Sequence, residues 1–160
     1  MISIIAAVTK NQAIGKNNKL LFHISADLKR FKDLTTGNTV VMGRRTFESL
    51  PNGALPNRRN IVVSRNKDFS APDIEVVNSI ADACQNDEGK LFIIGGAALY
   101  RETMNIASRL LLTEIDEIVC DADTFFPEIN WNEWEIIEKS KWQFDDKYRV
   151  RYRFITAQRK

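Results

Sequence analysis

At 160 residues, 44% hydrophobic and 28% charged, the chain is long enough to bury a substantial core and too apolar for a disordered segment. Lys and Arg total 23 against 21 Asp and Glu, a net charge of +2 that gives no global signal for a nucleic-acid or anionic-membrane partner. Cys84, Cys120 and the single histidine, His23, show no metal-ligand spacing, so no metal and no oxidising compartment is called for and the cytoplasm is the default location.

In chain order, "MISIIAAVTK" is too short to cross a bilayer and lacks the basic start and cleavage pattern of a signal peptide. Its Ile, Ala and Val residues predict a strand over 2–8 buried on both faces. Further β-branched runs predict strands over 39–43, 60–64, 74–77, 91–95 and 109–115, with helical patterns near 25–34, 44–50, 79–86 and 97–106. This alternation predicts one α/β domain over residues 1–160, a mainly parallel sheet with helices on both faces. The ending differs: "WEIIEKSKWQ" and "KYRVRYRFITAQ", joined at "FDDK", predict an antiparallel hairpin. In its second arm Arg149, Arg151 and Arg153 alternate with Val150, Tyr152 and Phe154, the period of a strand with one solvated face rather than a nucleic-acid stripe.

The helix near 25–34 raises a chemical question. Ser25 is its expected N-cap, and Asp27 falls in the first turn, where the helix dipole favours an acid. The 3.6-residue period also puts Asp27 on the face of Ile24, Leu28, Phe31 and Leu34, with Lys29, Arg30 and Lys32 projecting the other way. A lone carboxylate turned inward is costly unless something pairs with it.

Three junctions have a shape that suits phosphate. In "VVMGRRTFESL", Gly43 ends a strand and Arg44, Arg45 and Thr46 open a helix; in "IVVSRNK", Ser64 and Arg65 follow a strand; in "LFIIGGAALYRE", Gly95 and Gly96 bring bare backbone to a helix start. None is a G-x-G-x-x-G fingerprint, yet all should lie at the carboxyl ends of parallel strands, where such sheets bind ligands. Together they suit a dinucleotide, and Arg44 with Ser64 and Arg65 suit a 2′-phosphate, which favours NADP over NAD.

Six segments, "MISIIAAVTKNQAIGKNNKL", "SADLKRFKDLT", "VVMGRRTFESL", "LPNRRNIVVSR", "IIGGAALY" and "LLLTEID", followed by "DADTFFPEI", resemble the dihydrofolate reductase family in order and spacing. The resemblance runs from the first residue to the closing hairpin. It implies an eight-stranded, mostly parallel sheet with a C-terminal antiparallel strand. It also implies the family's reaction: NADPH delivers a hydride to C6 of 7,8-dihydrofolate, N5 gains a proton, and tetrahydrofolate results.

By position, Asp27 resembles the family's pocket acid, which binds the 2-amino group and N3 of the pterin, and Thr113 resembles the hydroxyl bonded to that acid. Ile5, Ala6, Leu28, Phe31, Leu50, Leu55 and Ile94 resemble the substrate walls, and Arg58 the arginine that grips the α-carboxylate of the glutamate tail, with Arg59 beside it keeping the choice between the two open. On the cofactor side, Ala7, Ile14, Gly15 and Leu20 match the strand end and mobile loop beside nicotinamide. Gly43, Arg44, Arg45 and Thr46 match the phosphate-binding helix start, and Ser64 and Arg65 the 2′-phosphate region. Gly95, Gly96, Ala97, Ala98, Leu99 and Tyr100 match the pyrophosphate turn, where the family has a cis Gly-Gly peptide.

The chain departs from the pattern where the family has Pro-Trp, since Leu21 and Phe22 stand there, and where Pro often precedes the pocket acid, since Ser25 stands there. Phe22 keeps the catalytic position without the indole N–H that orders a water. "LPNGALP" and "CDADTFF" each carry one residue more than several bacterial relatives. Residues 9 to 23, with Gly15 and "KNNK", resemble a lid over the nicotinamide. The implied partners are dihydrofolate and antifolate-type molecules, bound to a monomer. The rival readings are a pyrimidine reductase of riboflavin synthesis and a non-catalytic NADP(H) sensor.

Overall fold

Each β-branched run can bury both faces only if helices cover the sheet on both sides. In the computed structural model, which describes residues 1–85 and 89–160, the strands are β1 (Ile2–Thr9), β2 (Ala13–Lys16), β3 (Lys19–Leu20), β4 (Thr39–Gly43), β5 (Arg59–Val63), β6 (Glu75–Val77), β7 (Leu91–Gly95), β8 (Arg109–Ile115), β9 (Thr124–Phe125), β10 (Trp134–Lys139), β11 (Gln143–Asp145) and β12 (Val150–Arg159). The helices are α1 (Ser25–Thr35), α2 (Arg44–Glu48), α3 (Ile80–Cys84) and α4 (Ala97–Thr103). The last position of the helix expected over 79–86 lies outside the described residues. Among the described residues no helix is long and apolar enough to cross a membrane.

The main sheet runs β10-β12-β8-β1-β7-β4-β5-β6. From β8 to β6 its pairs are parallel, and β12 is antiparallel to β8. The expected hairpin forms, but its first arm is broken: β10 and β11 pair with successive parts of β12. The break falls at Ser140, whose Oγ accepts from Phe154 N–H at 2.8 Å. Of the arginine stripe, Arg151 and Arg153 form a charged outer face, as expected: Arg151 pairs with Asp116, Arg153 with Glu114 at 3.0 Å, and both guanidinium groups stack on Trp142, whereas Arg149 falls in the turn before β12 at φ 57°.

Strand alternation divides β1 between two cores. Ile4 and Val8 pack with Ala83 of α3 and Leu99 and Tyr100 of α4, whereas Ile5 packs with Val40 and Met42 under Phe31 and Leu34 of α1 and Phe47 of α2. Helices therefore lie on both faces.

Two local expectations change. Ile24, not Ser25, is the N-cap of α1; no side chain caps the helix, and Ile24 is held by burial at 1% exposure. The stretch read as a lid loop also contains β2 and β3, which join β9 in a small antiparallel sheet. Asn17 and Asn18 turn that hairpin at φ 51° and 62°, a left-handed conformation that asparagine tolerates well.

Candidate active site

Thr113 lies on β8 with Ala7 of β1 beside it on one side and Phe154 of β12 on the other, and it is 1% exposed. The first turn of α1 sits over this point, and the Thr113 hydroxyl donates to Asp27 Oδ1. Asp27 is half-buried. Burial holds its carboxyl above the usual 3.8, against the pull of the Thr113 hydrogen bond and of the Arg30 guanidinium. Arg30 therefore does not project away from the acid, as helical spacing alone implied. Three residues on, it is a neighbour on the helix surface, and its long side chain lies back over the Phe154 ring at 4.5 Å.

Next to Asp27 the sheet face is apolar. Ile5, Phe31, Leu50, Leu55 and Ile94, all assigned to the substrate walls by resemblance, meet in one cluster. Leu28 stands outside it and is 44% exposed. Ala6 points to the opposite core, so only its backbone is on this side. The extra residue in "LPNGALP" leaves Leu50 and Leu55 both in place, with the loop pinned by Asn60, which accepts from Leu55 N–H at 2.9 Å and donates to Leu55 O at 2.8 Å. Beyond Phe31, Arg58 donates to Thr35 Oγ1 at 3.1 Å and to Pro56 O at 2.9 Å, with its guanidinium 5.9 Å from the Phe31 ring. Arg59 faces elsewhere, in an ion pair with Glu75. Of the two arginines, Arg58 borders the apolar face.

The three predicted junctions lie at the carboxyl ends of β7, β4 and β5, which are neighbours in the sheet. Gly43, Thr46, Gly95 and Gly96 meet: a Cβ built on Gly95 or Gly96 would lie 3.2 or 3.4 Å from Thr46 Oγ1. Gly95 has φ +136°, and its peptide to Gly96 is cis. This is a cradle of close-packed backbone in which Thr46 already takes the space side chains would need, and its bare peptides fit close approach of a pyrophosphate. Ser64 follows the end of β5, where its Oγ accepts from Asn66 N–H at 3.2 Å, and Arg65 is exposed. Arg44 is partly engaged, with Nε 2.6 Å from Glu48 and its guanidinium over Phe69. Arg45 is exposed. Leu99 and Tyr100 are buried at 5% and 4% exposure, but the Tyr100 hydroxyl reaches the cradle, 3.6 Å from a Cβ built on Gly95; Ala97 and Ala98 open the helix. The Tyr100 hydroxyl donates to Ile5 O at 2.8 Å.

Between the two regions, Ala7, Ile14, Leu20 and Phe22 line one small cleft. Gly15 pairs with Leu20, and a Cβ there would lie 3.0 Å from Lys19 O. Asn17 N–H donates to Asp123 Oδ2 at 2.9 Å and Lys16 reaches Asp121 at 2.5 Å, so the β2–β3 hairpin rests on the loop before β9. Phe22 packs edge-on against Tyr148 at 5.3 Å, and the Tyr148 hydroxyl accepts from His23 N–H at 3.1 Å. The sequence reading missed Arg30 and Tyr148. Position on the helix could have flagged the first; nothing local signals the second, which lies 125 residues from His23.

A sequence profile described as dihydrofolate reductase matches residues 1–159. Dihydrofolate reductase type 3 of Salmonella typhimurium is 45% identical over 99% of this chain and 98% of its own length. The dihydrofolate reductase of Neisseria gonorrhoeae is 42% identical over 96% and 95%, and that of Bacillus subtilis 38% over 100% and 95%. The solved structure of dihydrofolate reductase from Enterococcus faecalis, complexed with NADP(H) and RAB-propyl, superposes with a TM-score of 0.91 at 36% identity, over 99% of this chain and 96% of that one. With the profile spanning almost every residue and the fold and the glycine cradle in agreement, the chain belongs to the dihydrofolate reductase family.

Proposed function

We propose that Asp27 is the residue on which this protein orients 7,8-dihydrofolate for reduction to 5,6,7,8-tetrahydrofolate, the NADPH-dependent reaction of its family. One observation carries the reading: a half-buried carboxylate, held by Thr113, beside an apolar face. Two N–H donors on one edge of a pterin match two carboxylate oxygens, so a ligand can supply the pairing that the protein leaves incomplete.

The chain's own groups then have distinct tasks. Thr113 fixes the direction of Asp27, and Ile5, Phe31, Leu50, Leu55 and Ile94 hold the ring system and exclude water. Arg58 takes the carboxylate of the tail. The turn at Gly43, Thr46, Gly95 and Gly96 receives the pyrophosphate, and Arg44, Ser64 and Arg65 receive the 2′-phosphate. Ala7, Ile14 and Leu20 close on the nicotinamide, with Phe22 as an apolar wall. NADPH supplies the hydride that goes to C6. Most of the acceleration is positioning of two stacked rings. On the same reading the protein works as a cytoplasmic monomer on a small molecule, and its near-balanced charge of +2 gives nucleic acid no purchase.

Asp27→Asn keeps the shape and removes the charge. It should cut dihydrofolate-dependent NADPH oxidation at neutral pH by about 10²-fold or more while the protein stays folded. The assay follows NADPH absorbance with and without dihydrofolate. Wild-type turnover in this variant overturns the role of Asp27, and oxidation indifferent to dihydrofolate overturns the substrate.

A further inference from the structure

We propose that Arg30 is a positioning residue of the site: a guanidinium held on Phe154 and Thr156, in the field of both the Asp27 and the Glu138 carboxylates, that favours the anionic form of Asp27. The inference rests on the reading of Asp27 given above. Its geometry comes from sheet register. Asp27 is bonded to Thr113, whose neighbour on β12 is Phe154; two residues along, Thr156 has Glu138 of β10 as its other neighbour. The Arg30 guanidinium stacks on Phe154 at 4.5 Å and places Nη2 3.5 Å from Thr156 Oγ1, where both acids attract it. An arginine on an outward helix face would extend into water; this one is half-buried on an aromatic ring.

The groups that act on Asp27 come from four elements: Thr113 on β8, Arg30 on α1, Tyr100 on α4 and Tyr152 on β12. Both phenols are pushed up, first by burial, and are neutral at neutral pH. Arg30 is the one charged member of this set. Burial weakens its hold on its own proton, while Asp27 and Glu138 strengthen it. Glu138 is exposed and competes with Asp27 for the same cation.

That competition gives a test with opposite signs. Titration of the Asp27 carboxyl by ¹³C NMR in the unliganded protein should show a higher midpoint in Arg30→Met, by about half a unit to one unit. Glu138→Gln should move it lower by a smaller amount, and Arg30→Lys should restore part of the wild-type value by charge alone. The pH profile of kcat/KM for dihydrofolate should shift in the same directions. An unchanged midpoint in Arg30→Met, or shifts of the same sign in Arg30→Met and Glu138→Gln, overturns the proposal. Asp27→Asn, assayed alongside, separates the two claims. If it retains turnover, the reading of Asp27 falls and Arg30 has no substrate role; if it loses turnover while Arg30→Met titrates like wild type, the Arg30 inference alone falls.

Discussion

An acid whose pKa rises on folding holds its proton more tightly in the folded protein. Asp27 is such a group, so the unfolded chain gives up the proton first and stability falls as pH climbs from 3.8 through the raised folded value. Above that window the cost stays constant. Asp27→Asn should therefore raise the melting temperature at neutral pH, by about 2–4 °C for each kcal/mol relieved, with the gain fading in acid. A scanning calorimetry series that finds no gain at neutral pH would show that the carboxylate is not held against solvation. Arg58 makes a different residue-scale prediction. Arg58→Ala should raise KM for dihydrofolate by about 10-fold or more, the worth of a charge-assisted hydrogen bond, and leave KM for NADPH unchanged. Arg59→Ala is the control, because its guanidinium is occupied by Glu75.

At the scale of elements, function depends on where strands end. The ends of β7 and β4 must approach so closely that Thr46 fills the space a side chain would need at Gly95 or Gly96. Gly95→Ala adds a methyl at 3.2 Å from Thr46 Oγ1 on a backbone with φ +136°. It should cost about 1–3 kcal/mol of stability and weaken NADPH binding more than dihydrofolate binding. Equal losses for both ligands in calorimetric titrations would detach the turn from the cofactor. Arg44→Ala bears on the neighbouring junction and should weaken NADPH more than NADH, because the two cofactors differ by the 2′-phosphate. Equal losses would take Arg44 out of that subsite.

For the whole molecule, the two proposed ligand regions share one sheet, and binding to the folded state alone must raise stability. NADPH at 100 times its Kd contributes about 2.7 kcal/mol, visible as a rise in melting temperature. Asp27→Asn should keep that rise and lose the further one from dihydrofolate. Loss of both would mean that the acid supports the fold as well as the substrate. The β2–β3 hairpin belongs to this scale too, because its contacts at Asp121 and Asp123 come from a loop more than 100 residues away in the chain.

Strand and helix order was legible in the sequence because burial on two faces forces β-branched runs and helical periods to alternate; the strands at 39–43, 91–95 and 109–115 have the boundaries their patterns implied. Asp27 was legible as an acid on an apolar face, and the glycines as places where backbone approaches closely. The direction of Arg30, the partition of Arg58 from Arg59, the burial of Leu99 and Tyr100, and the strut from Tyr148 to the lid were not. A local period fixes which way a side chain leaves its own helix or strand, but which partner it finds is decided when distant segments are brought together by the sheet.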